Sequence, residues 1–175
     1  MRPNTRDEFK IAIICGLPLE ADAVEPLFDE SYDKFGRLYG KQTGDANVYT
    51  TGRIGRHNVV LCHMPGIRKA SAASVASSLR TSYTRIELVL VVGICGGVPF
   101  PSSNSEIILR DVIISDSVIV YDFGRQYPDG FQWKTDMGET LGRPNREIRT
   151  LLAGLKTRNT CSEFQDQLSR HLRNL

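Results

Sequence analysis

The hydrophobic pattern near the N-terminus predicts a buried strand followed by a helix. Residues 9–15, FKIAIIC, form a short apolar run that ends at Gly16, which favours a buried strand. The next segment, 19–30, places apolar residues at helical spacing, and Pro18 before it suits the first helical turn. Pro26 lies inside this helix and predicts a kink or an early end, because proline removes a backbone donor.

The middle of the chain predicts more strands around one helix. Three strands are expected within residues 37–63, in RLYGKQT, NVYTTGRI and NVVLCHM, since GDA and GRH between them are turn sequences. A helix rich in small residues follows over about 69–82. The run 86–93, IELVLVVG, has the continuous hydrophobicity of a parallel strand that is buried on both faces.

The last third of the chain predicts two strands and two helices. The strands are expected at 106–115 and 117–123, and the Gly-, Pro- and Asp-rich segment 124–145 predicts an irregular loop. Asn145 and Ser162 are each placed to cap a helix. The alternation of strands and helices, together with late strands that look like antiparallel hairpins, predicts an α/β fold with a mixed central β-sheet flanked by helices.

Length, charge and hydropathy narrow the class of protein. We interpret residues 1–8 as a polar tail and 9–175 as one domain. Hydrophobic residues make up 41% and charged residues 24%, and the net charge is +2, so we expect neither a nucleic-acid partner nor a membrane partner. The N-terminus has no apolar core of a secretory signal, which predicts a cytoplasmic protein.

Motifs for metals and common cofactors are missing. The four cysteines lack zinc or disulfide spacing, and we interpret them as reduced thiols: Cys15, Cys62, Cys95 and Cys161. The turn GICGGVPF lacks the Lys and Ser/Thr of a Walker loop. Pro99 and Pro101 argue against the helix that a dinucleotide fingerprint needs. We therefore expect no metal and no cofactor.

Candidate chemistry is concentrated where predicted strands end. Glu20 lies four residues after Gly16 and is expected to face the crevice in which open α/β folds bind ligands; the alternative is a solvated residue at a helix N-terminus. Cys95 with His63 is a second, less specific pair for nucleophilic catalysis. The turn after the strand 86–93 leaves its backbone open to a close ligand through three glycines: Gly93, Gly96 and Gly97.

Four blocks of sequence together carry a family resemblance. CGLPLEADAV, MPGIRKASAASVASSL, VVGICGGVP and LRDVIISDSV resemble, in this order, the nucleoside phosphorylase and nucleosidase superfamily over about residues 9–157. YDFGRQYPDGF and LGRPN resemble the version at the N-terminus of fungal proteins with NACHT, ankyrin or TPR modules. The resemblance implies a nucleoside phosphorylase-like fold, a purine nucleoside or nucleotide as small-molecule partner, a homo-oligomer, and C-terminal signalling modules in a longer protein.

The same resemblance implies a set of site residues. Glu20 falls where bacterial-type phosphorylases carry an arginine for phosphate, and Val91 and Ile94 fall on a second arginine and a phosphate-binding serine. A glutamate there favours water as the nucleophile, with Glu20 as general base and catalytic residue of a nucleosidase. The implied substrate-binding residues are Gly16, Leu17, Pro18, Ile67, Gly93, Ile94, Cys95, Gly96 and Gly97.

Two other functions stay open at this point. One is a phosphate-dependent nucleoside phosphorylase, and the other is a non-catalytic nucleoside-binding or signalling module. The family's second half, with a Met-Glu pair for the ribose and an Asp that protonates the base, has no counterpart after residue 150. We therefore expect the N-terminal portion of the family domain with an uncovered sheet edge, which favours the binding module for this chain alone.

Overall fold

The computed structural model contains two units. In the first, apolar runs of the sequence form a five-stranded sheet. The structure describes residues 2–100, 106–109, 111–118, 124–133 and 144–173. The two units are Met1–Val98 and Pro99–Leu175, and each is described by itself. The strands of the first unit follow the order β2-β3-β4-β1-β5 across the sheet. Their bounds are β1 Ile11–Cys15, β2 Glu30–Asp33, β3 Val48–Ile54, β4 His57–His63 and β5 Leu88–Val92.

The sheet is mixed, as predicted, but its antiparallel strands lie early in the chain and not in the late segment where they were expected. β1 pairs in parallel with both β4 and β5, whereas β3 is antiparallel to β2 and β4. In this register Cys15 lies between His63 and Val92. The carboxyl ends of three parallel strands therefore meet at one edge of the sheet, which is the edge at which open α/β folds bind ligands.

Each face of the sheet packs against one helix. Helix α1 (Pro18–Val24) follows β1, and helix α2 (Lys69–Ser82) joins β4 to β5. Side chains alternate along a strand, so successive residues of β1 enter opposite faces. Ala12 and Ile14 join the cluster that holds Val75 and Leu79 of α2. Ile13 and Cys15 join the cluster that holds Ala21 and Val24 of α1.

The first unit confirms two predicted helices and corrects one predicted strand. α2 spans the predicted residues, and α1 ends at Val24, where a 3₁₀ turn over Glu25–Leu27 takes up Pro26. The strand predicted at 37–43 is wrong. Its residues do not extend because positive φ angles turn the chain at Gly36 (67°), just before them, and at Gly40 (65°), within them, and the strand β2 lies earlier.

β5 is parallel, as predicted, but the prediction that it is buried on both faces is wrong. Among the described residues it pairs with β1 alone and forms an edge of the sheet. Val91 is 80% exposed, and the neighbouring Val89, Leu90 and Val92 are also exposed. Sequence hydrophobicity cannot distinguish a central strand from an edge strand, because burial depends on what packs beside it.

A polar network ties the segment before β3 to α2. The Asp45 carboxylate accepts hydrogen bonds from the Tyr49 hydroxyl (2.7 Å), the Asn47 N–H (2.8 Å) and the Ser82 hydroxyl. The Asn47 side-chain amide donates to the Tyr49 oxygen (3.0 Å) and to the Val75 carbonyl (2.9 Å). Burial opposes ionisation of Asp45, but these hydrogen bonds outweigh it and lower its pKa below the ordinary value.

Asp45→Asn is expected to lower the free energy of unfolding by about 1–2 kcal/mol at pH 7, because an amide cannot accept all three hydrogen bonds. A depressed folded-state pKa adds stability above the unfolded-state pKa of about 3.9, and this contribution is lost as the pH falls through the folded-state value. The difference between wild type and variant should therefore shrink between about pH 5 and pH 2. Urea unfolding across this range measures it, and a difference that stays constant would contradict the network's charge dependence.

Tyr83→Phe is expected to change the free energy of unfolding by less than about 0.5 kcal/mol, whereas Tyr49→Phe should cost about 1–2 kcal/mol. Both rings are fully buried and stand edge to face, with centroids 5.0 Å apart. The Tyr83 hydroxyl has no hydrogen-bond partner in the described part of the chain, whereas the Tyr49 hydroxyl has two. Equal costs in urea unfolding would show that the hydroxyl pairing has no effect.

The second unit contains a hairpin and two helices. The hairpin pairs β6 (Gly124–Tyr127) with β7 (Gly130–Trp133). The helices are α3 (Arg146–Leu155) and α4 (Arg158–Arg173). The Asn145 side chain accepts from the Ile148 N–H (3.0 Å), which confirms the predicted cap. No helix among the described residues is both long and apolar enough to cross a membrane.

Three predictions in the second unit are wrong where the structure describes them. The predicted loop 124–145 contains the hairpin, because Pro128 and Asp129 form its two-residue turn. Ser162 is not a cap, since α4 begins four residues earlier. The described residues of the predicted strands 106–115 and 117–123 are not extended in a sheet. The Asp111 carboxylate instead accepts from the Ile108 N–H (2.9 Å), which stabilises a local turn. Residues 110 and 119–123 lie outside the described residues.

Candidate functional site

Glu20 is fixed by the backbone at the start of α1. Pro18 is the first residue of the helix, which places Glu20 third, where its side chain reaches back over the helix start. Its Oε2 accepts the N–H groups of Gly16 (2.8 Å) and Leu17 (2.9 Å). Glu20 is 9% exposed, which argues against the alternative of a solvated helix residue.

A third hydrogen bond links this carboxylate to the far strand. Oε1 of Glu20 accepts the N–H of Ile94 (2.9 Å), two residues beyond the end of β5. One side chain therefore connects the chain after β1 with the turn after β5. We call Glu20 and its three N–H donors, Gly16, Leu17 and Ile94, the carboxylate clamp.

The clamp depends on bare backbone beside the carboxylate. A β-carbon at Gly93 would lie 2.8 Å from Oε1 of Glu20, closer than real β-carbons approach such an atom. A β-carbon at Gly16 would make ordinary contacts, 3.5 Å from Oε2 of Glu20 and 3.8 Å from Cγ1 of Ile67. Among these glycines it is Gly93 that leaves the room in which the Glu20 carboxylate lies.

Hydrogen bonding keeps Glu20 charged. The N–H groups of Ile94, Leu17 and Gly16 stabilise the carboxylate and lower its pKa below the ordinary glutamate value, although burial acts in the opposite direction. The nearby Cys15 thiol shows the reverse effect, because burial and then the Glu20 charge raise its pKa to about 11. At neutral pH the site therefore holds a carboxylate beside a neutral thiol.

Among the described residues, the clamp leaves Glu20 one further position for a hydrogen bond. An ionised carboxylate accepts at about four lone-pair sites, two on each oxygen. Gly16 and Leu17 use both sites of Oε2, and Ile94 uses one site of Oε1. Oε1 can therefore accept one more donor, such as a water molecule or a ligand hydroxyl.

The structure brings together about half of the predicted site residues. Gly16, Leu17, Gly93 and Ile94 contact or border the Glu20 carboxylate, and Ile67 lies beside Gly16. The others have no hydrogen bond to Glu20 among the described residues, and all are exposed: Pro18, Cys95, Gly96 and Gly97. Within the same described residues no hydrogen bond joins Cys95 to His63, so that pair gains no support.

Sequence reasoning missed the backbone partners of Glu20. The contact to Leu17 had a local signal, because a glutamate three residues after a helix cap commonly bonds back to that cap. The contact to Ile94 spans 74 residues and had no local signal. Glu20 and Ile94 meet only because β1 and β5 are neighbours in the sheet.

Comparisons with known proteins agree with this architecture. A family model described as the Phosphorylase superfamily matches residues 10–163, which include the whole carboxylate clamp. A nucleotide-binding leucine-rich repeat (NLR)-like protein from Hyaloscypha variabilis is 31% identical over 160 residues, 88% of this chain. The chain spans 15% of that relative, which agrees with the predicted resemblance to a domain of a larger protein. The chain therefore belongs to the phosphorylase superfamily.

Proposed function

We propose that the chain is a nucleosidase, which cleaves the N-glycosidic bond of a purine nucleoside or nucleotide with water. The observation that carries this proposal is the Glu20 carboxylate, held by three N–H groups where parallel strands end, with one acceptor position left on Oε1. This position suits a water molecule, because Glu20 can orient it and accept its proton.

In the proposed reaction the water oxygen forms a bond to C1′ of the ribose while the bond from C1′ to the base nitrogen breaks. The bonding electrons leave with the base, whose nitrogen takes up a proton from solvent, and the attacking water loses a proton to Glu20, which returns it to solvent. The products are the free base and the free sugar, or the sugar phosphate where the substrate is a nucleotide. Positive charge develops on the sugar as the base departs, so a fixed carboxylate also stabilises the transition state electrostatically. That role needs an ionised Glu20, which agrees with its lowered pKa.

Three features of the site disfavour phosphate as the attacking group. The Ile94 N–H already donates to Glu20, so it is not available to a phosphate oxygen. An anionic phosphate would also be repelled by the Glu20 charge at close range. The predicted replacements of phosphate ligands, Val91 and Ile94, offer aliphatic side chains that are 80% and 71% exposed. These features favour hydrolysis over phosphorolysis.

We further propose that the chain is one domain of a larger cytoplasmic protein and that it forms a homo-oligomer. In that protein, signalling modules follow it on the C-terminal side. Support comes from the NLR-like relative, which is several times longer than the chain. Its printed name describes a nucleotide-binding protein, which agrees with a nucleoside or nucleotide as the small-molecule ligand.

The test incubates the 175-residue chain with a panel of purine and pyrimidine nucleosides and nucleotides, in matched reactions with and without inorganic phosphate. Chromatography measures the free base that is released. Release of a purine base at equal rates in both series would support the proposal. Strict dependence on phosphate would replace it with a phosphorylase. Nucleoside binding by calorimetry without any release would replace it with a non-catalytic binding module.

A further inference from the structure

We propose that Gly93 is a positioning residue for Glu20: the missing side chain lets the carboxylate reach the Ile94 N–H and so bridge the ends of β1 and β5. The inference rests on the proposed function only where it concerns the rate of base release. The position of the Glu20 carboxylate depends on this chain's own residues and can be tested without any reaction.

Space, rather than backbone conformation, explains the glycine at this position. Gly93 is not among the described glycines with positive φ, so alanine could adopt its backbone conformation. The three atoms nearest to a β-carbon there all belong to Glu20: Oε1 at 2.8 Å, Cδ at 3.2 Å and Oε2 at 3.4 Å. A methyl group at Gly93 would therefore meet the carboxylate before anything else.

The carboxylate is also the group that would move. It is the end of a flexible side chain, so it can rotate away at low cost, whereas the strand end cannot. The atom closest to the added methyl group, Oε1, is the one that accepts the Ile94 N–H (2.9 Å). Displacement would thus break this bond first and leave the bonds from Gly16 and Leu17 to Oε2 largely in place.

Three glycines make a graded set of variants. Gly93→Ala places a methyl group against Oε1, and Gly16→Ala places one at ordinary contact distance, 3.5 Å, from Oε2 of the same carboxylate. Gly66→Ala adds a methyl group that meets nothing within 4 Å. The effect on Glu20 should therefore be large in the first variant, small in the second and absent in the third.

The direct test follows the Glu20 carboxyl carbon by NMR during a pH titration of the chain labelled with ¹³C-glutamate. Glu20→Gln identifies the signal by its disappearance. In wild type we expect a titration midpoint below the ordinary glutamate value of about 4.3.

Gly93→Ala should raise the titration midpoint of Glu20 by about one pH unit, because each backbone N–H donor lost shifts the pKa of a carboxylate by roughly that amount. The midpoint should shift much less in Gly16→Ala and should stay at the wild-type value in Gly66→Ala. An unchanged midpoint in Gly93→Ala would overturn the inference. The Cys15 thiol, which interacts with Glu20, stays neutral across this range, since its pKa is about 11.

A double-mutant cycle covers the case in which Gly93→Ala folds poorly. Because only Glu20 atoms lie closest to the added methyl group, Gly93→Ala should destabilise wild type but have almost no effect in a Glu20→Ala background. Equal destabilisation in both backgrounds would overturn the inference. Neither measurement needs turnover. A raised Glu20 midpoint together with an unchanged rate of base release would support the positioning role and overturn the proposed function of Glu20.

Discussion

Glu20→Gln is expected to lower the rate constant for base release about 10²–10⁴-fold, with little change in the apparent affinity for the nucleoside. A glutamine side chain is neutral, so it can neither take a proton from water nor stabilise positive charge on the ribose. It also presents an NH₂ group to at least one of the N–H donors of the clamp, Gly16, Leu17 or Ile94. The measurement is steady-state base release at saturating substrate, with thermal unfolding of each variant recorded alongside.

Glu25→Gln is the matched control for this prediction. It removes the carboxylate of the residue that directly follows α1, which pairs with Lys34 (2.7 Å). Its rate should equal that of wild type. A Glu20→Gln protein that is folded and retains more than about a third of the wild-type rate would contradict general-base catalysis at this position.

Tyr49→Ala is expected to lower the free energy of unfolding by about 3–5 kcal/mol. The side chain is fully buried, and its ring stands edge to face against Tyr83. Its hydroxyl donates to Asp45 (2.7 Å) and accepts from Asn47 (3.0 Å). Alanine therefore creates a cavity and also leaves buried polar groups without partners. Urea unfolding at pH 7 gives the value directly.

Val48→Ala is the control for this stability prediction. It precedes Tyr49 on β3 with its side chain 40% exposed, so its truncation should cost no more than about 0.5 kcal/mol. A Tyr49→Ala cost below about 1.5 kcal/mol would show that the core collapses around the cavity and that the aromatic cluster is not the main source of stability.

The sequence predicted correctly those elements that depend on residues close to one another in the chain. The small-residue helix at 69–82, the early end of α1 before Pro26 and the Asn145 cap depend on neighbours within a few residues. Elements that depend on partners elsewhere were predicted less well. The apolar segment 106–115 contains strand-forming residues, but its described part makes a turn at Asp111 and pairs with no strand among the described residues, and strand propensity alone does not form a sheet.

The candidate site shows the same division. Gly16, Pro18 and Glu20 are close in sequence, so a carboxylate at the start of a helix after β1 could be predicted. The Ile94 N–H donor could not, because it arrives through the pairing of β1 with β5. The sequence likewise could not show that Gly93 leaves room for the Glu20 carboxylate, although it predicted Gly93 as a substrate-binding residue. The catalytic role of Glu20 stays a prediction.

Identification of the sugar product is the most direct test of water as the attacking group. With inorganic phosphate present in excess over nucleoside, ³¹P NMR and sugar analysis of the completed reaction should detect free ribose in an amount equal to the released base. Accumulation of ribose 1-phosphate in its place would mean that an anion reaches C1′ despite Glu20, and would contradict the account.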